Sequence, residues 1–206
     1  MTTPRLGSFG ISLALGASVL LGACSGEIAE KQRAQSAIND GLAKTPVCRN
    51  VPVNVQVRSQ EAERSALLTE LIQQGYVIPA PITTMSLMGR PEISKGYAFT
   101  EKAKPLIQNN GAANSGYSQP CFRIGVWKTK SIEAVDIGND ASGTPIATVR
   151  AMIEFTPEEW LATTKSKPEW ALYWQQIKDQ QTKQWLYLLL KSGNDFFYGG
   201  PGRPIS

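Results

Sequence analysis

The order of segments predicts an α+β fold. It would combine an antiparallel meander sheet, a winged-helix-like half made of a helix and a hairpin, and two short helices near the C-terminus. Three observations predict it. Val51, Val53, Val55 and Val57 alternate with Pro52, Asn54, Gln56 and Arg58, and later Val149, Ala151, Ile153 and Phe155 alternate with Arg150, Met152 and Glu154, both at period two. Leu67, Leu68, Leu71 and Ile72 fall on one helical stripe. Turn-forming clusters, Gly138 to Gly143 and Gly193-Asn194, separate strand-like runs by a few residues.

Each element has its own signals. Cys48 to Arg58 reads as a half-buried strand, with Pro52 marking a strand start or an edge. Ser59 to Gln74 reads as a helix, with Ser59 as its N-cap, Glu61 and Glu63 in the first turns, and Gly75 as the stop. Two strand-like pieces follow, Tyr76 to Thr84 and Tyr97 to Thr100, around a Gly/Pro-rich turn. Thr100 then caps a short helix that Pro105 limits. Gln108 to Gln119 is a polar loop. Cys121 to Lys128 and Ser131 to Ile137 read as two strands, and Pro145 to Phe155 completes a three-strand meander. Thr156-Pro157-Glu158-Glu159 reads as a capping box with Pro at the first helical position, and Ser166-Lys167-Pro168-Glu169 repeats the pattern. Trp170, Trp174 and Ile177 then share a helical face. Trp185 to Leu190 and Phe196 to Tyr198 close the chain as a hairpin, with a loose tail, 200–206.

Composition bounds the function. The chain has 206 residues, 42% hydrophobic and 18% charged, enough apolar material for one domain with appendages. The net charge of +4 is dispersed, and no basic recognition helix is visible, so nucleic acid is not an expected partner. Histidine is absent from the whole chain. That removes Ser-His-Asp and Cys-His triads and imidazole-based metal sites. No motif for a cofactor or a metal is present.

The first residues carry an address. Met1 to Arg5 holds one basic residue and no acid, and an apolar run from Ile11 to Leu21 follows, broken by Gly16 and Ser18. A bilayer span needs about 20 apolar residues, so this run is too short to cross and has the length of a signal-peptide core. It ends in Leu21-Gly22-Ala23-Cys24. This resembles the lipobox of bacterial lipoproteins, the substrates of signal peptidase II. The resemblance covers the first two dozen residues. It implies that Cys24 receives diacylglycerol, that 1–23 is removed as a signal peptide, and that the new amino group is acylated. Several acyl chains hold a membrane where one holds it only marginally. By the same resemblance, Ser25 in place of Asp implies the outer membrane, with the domain in the periplasm. Residues 24–45 read as a polar tether, with a frayed helix around Ile28 to Leu42, and 46–199 as a single periplasmic domain. Tyr97-x-x-Thr100, Cys121-x-x-x-Gly125, the meander and Pro168-x-Trp170-Ala171 are similar to small uncharacterised proteobacterial lipoproteins, which implies no activity.

With Cys24 lipidated, Cys48 and Cys121 remain, an even pair that reads as a disulfide in an oxidising compartment. The function expected is a binding or structural accessory module of the envelope, on a membrane anchor, with an envelope protein or peptidoglycan as partner. Trp127, Trp170 and Trp174, in a set with Trp160, Tyr173 and Trp185, are the candidate interface, against core packing. Lys128 and Lys130 would sit at a solvated hairpin tip. An alternative is a carboxylate-dependent glycan hydrolase using Glu133, Asp136 and Glu154. A third is a periplasmic inhibitor or immunity-type lipoprotein. An enzyme is the less expected class.

Overall fold

The computed structural model describes residues 20–51, 53, 65–85, 88–108 and 120–205. It is an α+β structure, as the sequence patterning predicts. The helices are α1 (Leu20–Lys44), α2 (Ala66–Gln73), α3 (Glu159–Ala162) and α4 (Ala171–Gln181). The strands are β1 (Val47–Asn50), β2 (Val77–Met85), β3 (Pro91–Phe99), β4 (Ile107–Gln108), β5 (Cys121–Asn139), β6 (Pro145–Pro157), β7 (Gln184–Ser192), β8 (Asp195–Tyr198) and β9 (Arg203–Pro204). The main sheet is antiparallel in the order β1-β5-β6-β7-β8, with β4 also on β5 and β9 on β7; β2 and β3 form a separate hairpin.

The sheet differs from the expected meander in one place. Cys121–Asn139 is one strand of 19 residues, not two. The register against β6 shifts between Thr129 and Ser131 and again between Ile132 and Ala134. Lys130 is the extra residue of the first bulge, which bends a strand without ending it. Lys128 and Lys130 therefore lie in mid-strand rather than at a hairpin tip. Two α1 side chains meet the backbone at the bulge: Asn39 Oδ1 accepts from the Thr129 N–H (2.8 Å), and Gln35 Nε2 donates to the Thr129 carbonyl (3.2 Å).

Those contacts also correct the reading of 24–45 as a tether. The segment is helical, and Ala34, Ala37, Ile38 and Leu42 are buried against Ala147, Val149, Ala151, Ile153, Tyr187, Leu189 and Phe196. Gly41 completes the stripe under the Tyr198 ring, where a Cβ would collide with Tyr198 Cγ. The tail is not loose either: Pro204 and Arg203 pair with Trp185 and Leu186.

A second core joins Val51, Val53, Leu68, Leu71, Phe122, Ile124, Trp160 and Leu161. Here α2 is shorter than the expected helix. Its N-cap is Ser65, whose Oγ accepts from the Leu68 N–H (3.3 Å); Ser59, Glu61, Glu63, Val55 and Val57 lie outside the described residues. The C-terminus follows the reading. Gly75 takes φ +73°, its N–H donates to the Ile72 carbonyl and that of Tyr76 to the Leu71 carbonyl, a Schellman motif that only a residue free of Cβ strain closes cheaply. Thr100 precedes the 3₁₀ turn Glu101–Leu106, but its hydroxyl donates to the Gly75 carbonyl (2.8 Å) instead of capping it. Nor is Thr156-Pro157 a capping box. Both residues belong to β6, and the Glu158 N–H still donates to the Ile124 carbonyl, so the sheet ladder claims the segment first. Pro168 does open its 3₁₀ turn, with Lys167 rather than Ser166 as the cap residue.

The disulfide is formed. Cys48 and Cys121 lie on neighbouring strands with Cα atoms 5.3 Å apart and a sequence separation of 73. Loop closure over that separation restricts the unfolded chain by about 4 kcal/mol.

Candidate functional site

The aromatic side chains form a continuous run through the second core. Phe99 stacks on Phe122, Phe122 meets Trp160, Trp160 meets Trp170 edge-on at 6.2 Å, and Trp170 meets Tyr173 edge-on at 5.7 Å. Tyr173 then meets Trp174. The three candidate interface residues are thus divided. Trp170 is buried. Trp174 is half-buried and its Nε1 donates to Thr164 Oγ1 (3.0 Å). Trp127 is half-buried, packs against both cores and tilts over Phe155 at 5.1 Å. The set acts first as core.

The run borders a pocket at Trp170 and Tyr173. A pocket of about 350 Å³ opens between β1, α2 and the start of α4. That volume is at the lower end for small-molecule sites. Leu67, Leu161 and Trp170 line its apolar wall, and Arg49, Asn50 and Glu169 bring polar groups to it. Local structure explains each placement. Arg49 and Asn50 close β1, where the strand leaves the sheet after pairing with Phe122 and Cys121. Glu169 and Trp170 sit in the 3₁₀ turn that Pro168 opens before α4. Arg49 lies over the Tyr173 ring, its guanidinium 5.2 Å from the centroid, a cation–π contact. Burial pushes the Tyr173 phenol above its ordinary pKa, and Arg49 pulls against that shift. Trp170 Nε1 is enclosed and has no hydrogen-bond partner among the described residues. Glu169 is exposed and makes no hydrogen bond or ion pair among the described residues. Sequence reasoning singled out Trp170 and Tyr173 for an interface but gave Arg49 and Asn50 no site role and read Glu169 only as part of a helix start. Nothing in their spacing points to one another, since 120 residues separate Arg49 from Glu169 (169 − 49 = 120).

The carboxylates proposed for hydrolysis are dispersed. Glu154 faces Lys128 across the ladder, whereas Asp136 faces Thr148 and lies 3.9 Å from Arg150. Six positions of β6 separate those two registers, about 20 Å of strand. A hydrolytic pair needs its carboxyl groups within about 5–10 Å. Glu133 accepts from Ser131 Oγ at 2.8 Å on an exposed stretch. The three acids do not form one site.

Cys24 lies near the start of α1. No helix among the described residues is long and apolar enough to cross a membrane, and among them no group of His, Cys, Asp and Glu is placed to hold a metal ion. The sequence matches no protein-family model and no curated protein, and the structure matches no solved structure.

Proposed function

We propose that the protein is a lipid-anchored envelope lipoprotein whose disulfide-stapled domain works in the periplasm as a binding module. The observation that carries the reading is Leu21-Gly22-Ala23-Cys24 directly behind an apolar segment too short to span a bilayer. Acylated Cys24 holds the protein in the outer membrane. Two features support the reading. A cross-strand disulfide persists in an oxidising compartment and is rare in a reducing one. The one pocket argued above joins an apolar wall to opposite charges, an arrangement suited to recognition.

The test is metabolic labelling with radioactive palmitate. Wild-type protein is expected to take up label, to lose 23 residues, and to fractionate with the outer membrane. Cys24→Ser is expected to remain unlabelled and uncut, and Ser25→Asp to shift the labelled protein to the inner membrane. Maturation of Cys24→Ser at the normal size would refute the anchor.

A further inference from the structure

We infer that the pocket bordered by Arg49, Glu169 and Trp170 binds a free α-amino acid with an apolar side chain. The inference deepens the proposed role as a binding module and rests on it for its setting.

Two opposite charges line one small apolar pocket, yet they form no ion pair with each other. Arg49 instead lies over the Tyr173 ring, and its exposed guanidinium borders the pocket. Glu169 has no partner among the described residues. An exposed charge is content in water, so a lone Arg or a lone Glu would signify little. Their meeting around a wall of Leu67, Leu161 and Trp170 is what selects a ligand. It would need a carboxylate for the planar guanidinium fork, an ammonium for Glu169, and an apolar group for the wall, all within a molecule that fits about 350 Å³. An apolar α-amino acid carries the three groups on one carbon. A neutral sugar lacks the charges, and a simple anion lacks the group that Glu169 would match. Asn50 adds an amide at the same mouth.

Isothermal titration of the full-length protein in detergent micelles with L-leucine, L-leucinamide and N-acetyl-L-leucine tests this. L-leucine is expected to bind, and each blocked analogue to bind at least tenfold more weakly. Arg49→Gln should bring L-leucine down to the level of L-leucinamide. Glu169→Gln should bring it down to that of N-acetyl-L-leucine. Both side chains are exposed, and the analogue series on wild-type protein needs no variant. Absence of heat at millimolar L-leucine overturns the site, as does equal binding of all three compounds. Palmitate labelling of the same preparation separates the two readings. Labelled protein that ignores leucine overturns the site alone. Unlabelled protein that binds leucine overturns the anchor alone.

Discussion

Glu70 is a charge in the wrong place by composition and in the right place by geometry. Its side chain is 4% exposed, and Lys167 Nζ lies 2.5 Å from one carboxylate oxygen. Gln74 Nε2 donates to the other and also to the Trp160 carbonyl and Thr163 Oγ1. The cluster ties α2 to the segment after β6. Breaking a buried pair leaves one charge uncompensated, at a cost of about 3–5 kcal/mol when both partners are enclosed. Lys167 is one-third exposed, so water screens part of that, and Lys167→Met is expected to cost about 2 kcal/mol in urea unfolding. The double variant with Glu70→Leu should recover most of the loss; no recovery would mean the charge pair is not the source. In sequence Glu70 reads as one more surface acid on a helix, because its partner lies 97 residues away. Asp140 is the opposite case, a local device legible in Gly138 to Gly143. Its carboxylate accepts from the Ser142 hydroxyl (2.7 Å) and from the backbone N–H of Thr144 (2.8 Å) and Ser142 (2.9 Å). Those bonds, the hydroxyl first, hold its pKa below the ordinary carboxylate value. The charged form is the one the turn favours. Its contribution is therefore present above the unfolded pKa and fades as pH falls through the lower folded value. An NMR titration should place the Asp140 midpoint below that of free aspartate, and Ser142→Ala should raise it; an ordinary midpoint in the wild type would contradict the turn.

At the scale of elements, the sequence was most readable where neighbours in the chain decide the structure. The β6 alternation, the Gly75 stop and the β7–β8 hairpin with Gly193 at φ +58° need no distant partner. Three elements depended on distant ones. The Thr129-Lys130-Ser131 stretch looks like a turn because it is polar, yet it is a bulge whose Thr129 backbone is met by Asn39 and Gln35, some 90 residues earlier. Thr156-Pro157 carries a helix-start signature, yet Ile124 accepts the Glu158 N–H and keeps the chain in the ladder. Glu158 itself turns to Arg123 Nε at 2.5 Å instead of a helix end. The docking stripe of α1, Ala34, Ala37, Ile38, Gly41 and Leu42, does have helical spacing. It is built from small residues, so its apolar signal is weak. Small residues are what a helix needs where an aromatic ring comes close, as Tyr198 does over Gly41. The pocket was half legible for a related reason: its aromatic wall stands out by composition, and its two charges do not.

The molecule as a whole turns on whether α1 is a tether or part of the fold. Ala34, the first buried side chain among the described ones of the helix, lies ten positions after Cys24 (34 − 24 = 10), about 15 Å of helix. Before that point the described side chains are exposed or half-buried, Ile28 at 58% among them. After it the helix covers Ala147, Val149, Ala151, Ile153, Tyr187, Leu189 and Phe196. The outer side of the sheet already shows Leu188, Leu190 and Phe197 at roughly half exposure, so a sheet stripped of α1 would be apolar on both faces. Such surface drives association. A chain starting at residue 26 keeps every docking contact and is expected to be monomeric and to unfold cooperatively. A chain starting at residue 46, where a flexible tether would end, is expected to aggregate or to lose several kcal/mol of stability, since burying each large apolar side chain is worth about 1.5–3 kcal/mol. Analytical ultracentrifugation and urea unfolding of the two chains decide the matter. Equal stability and equal monomer content would show that α1 only hangs from the domain. The expected difference would make the helix one wall of the core, and under the proposed anchor at Cys24 the domain would then sit close to the lipid surface rather than range far from it.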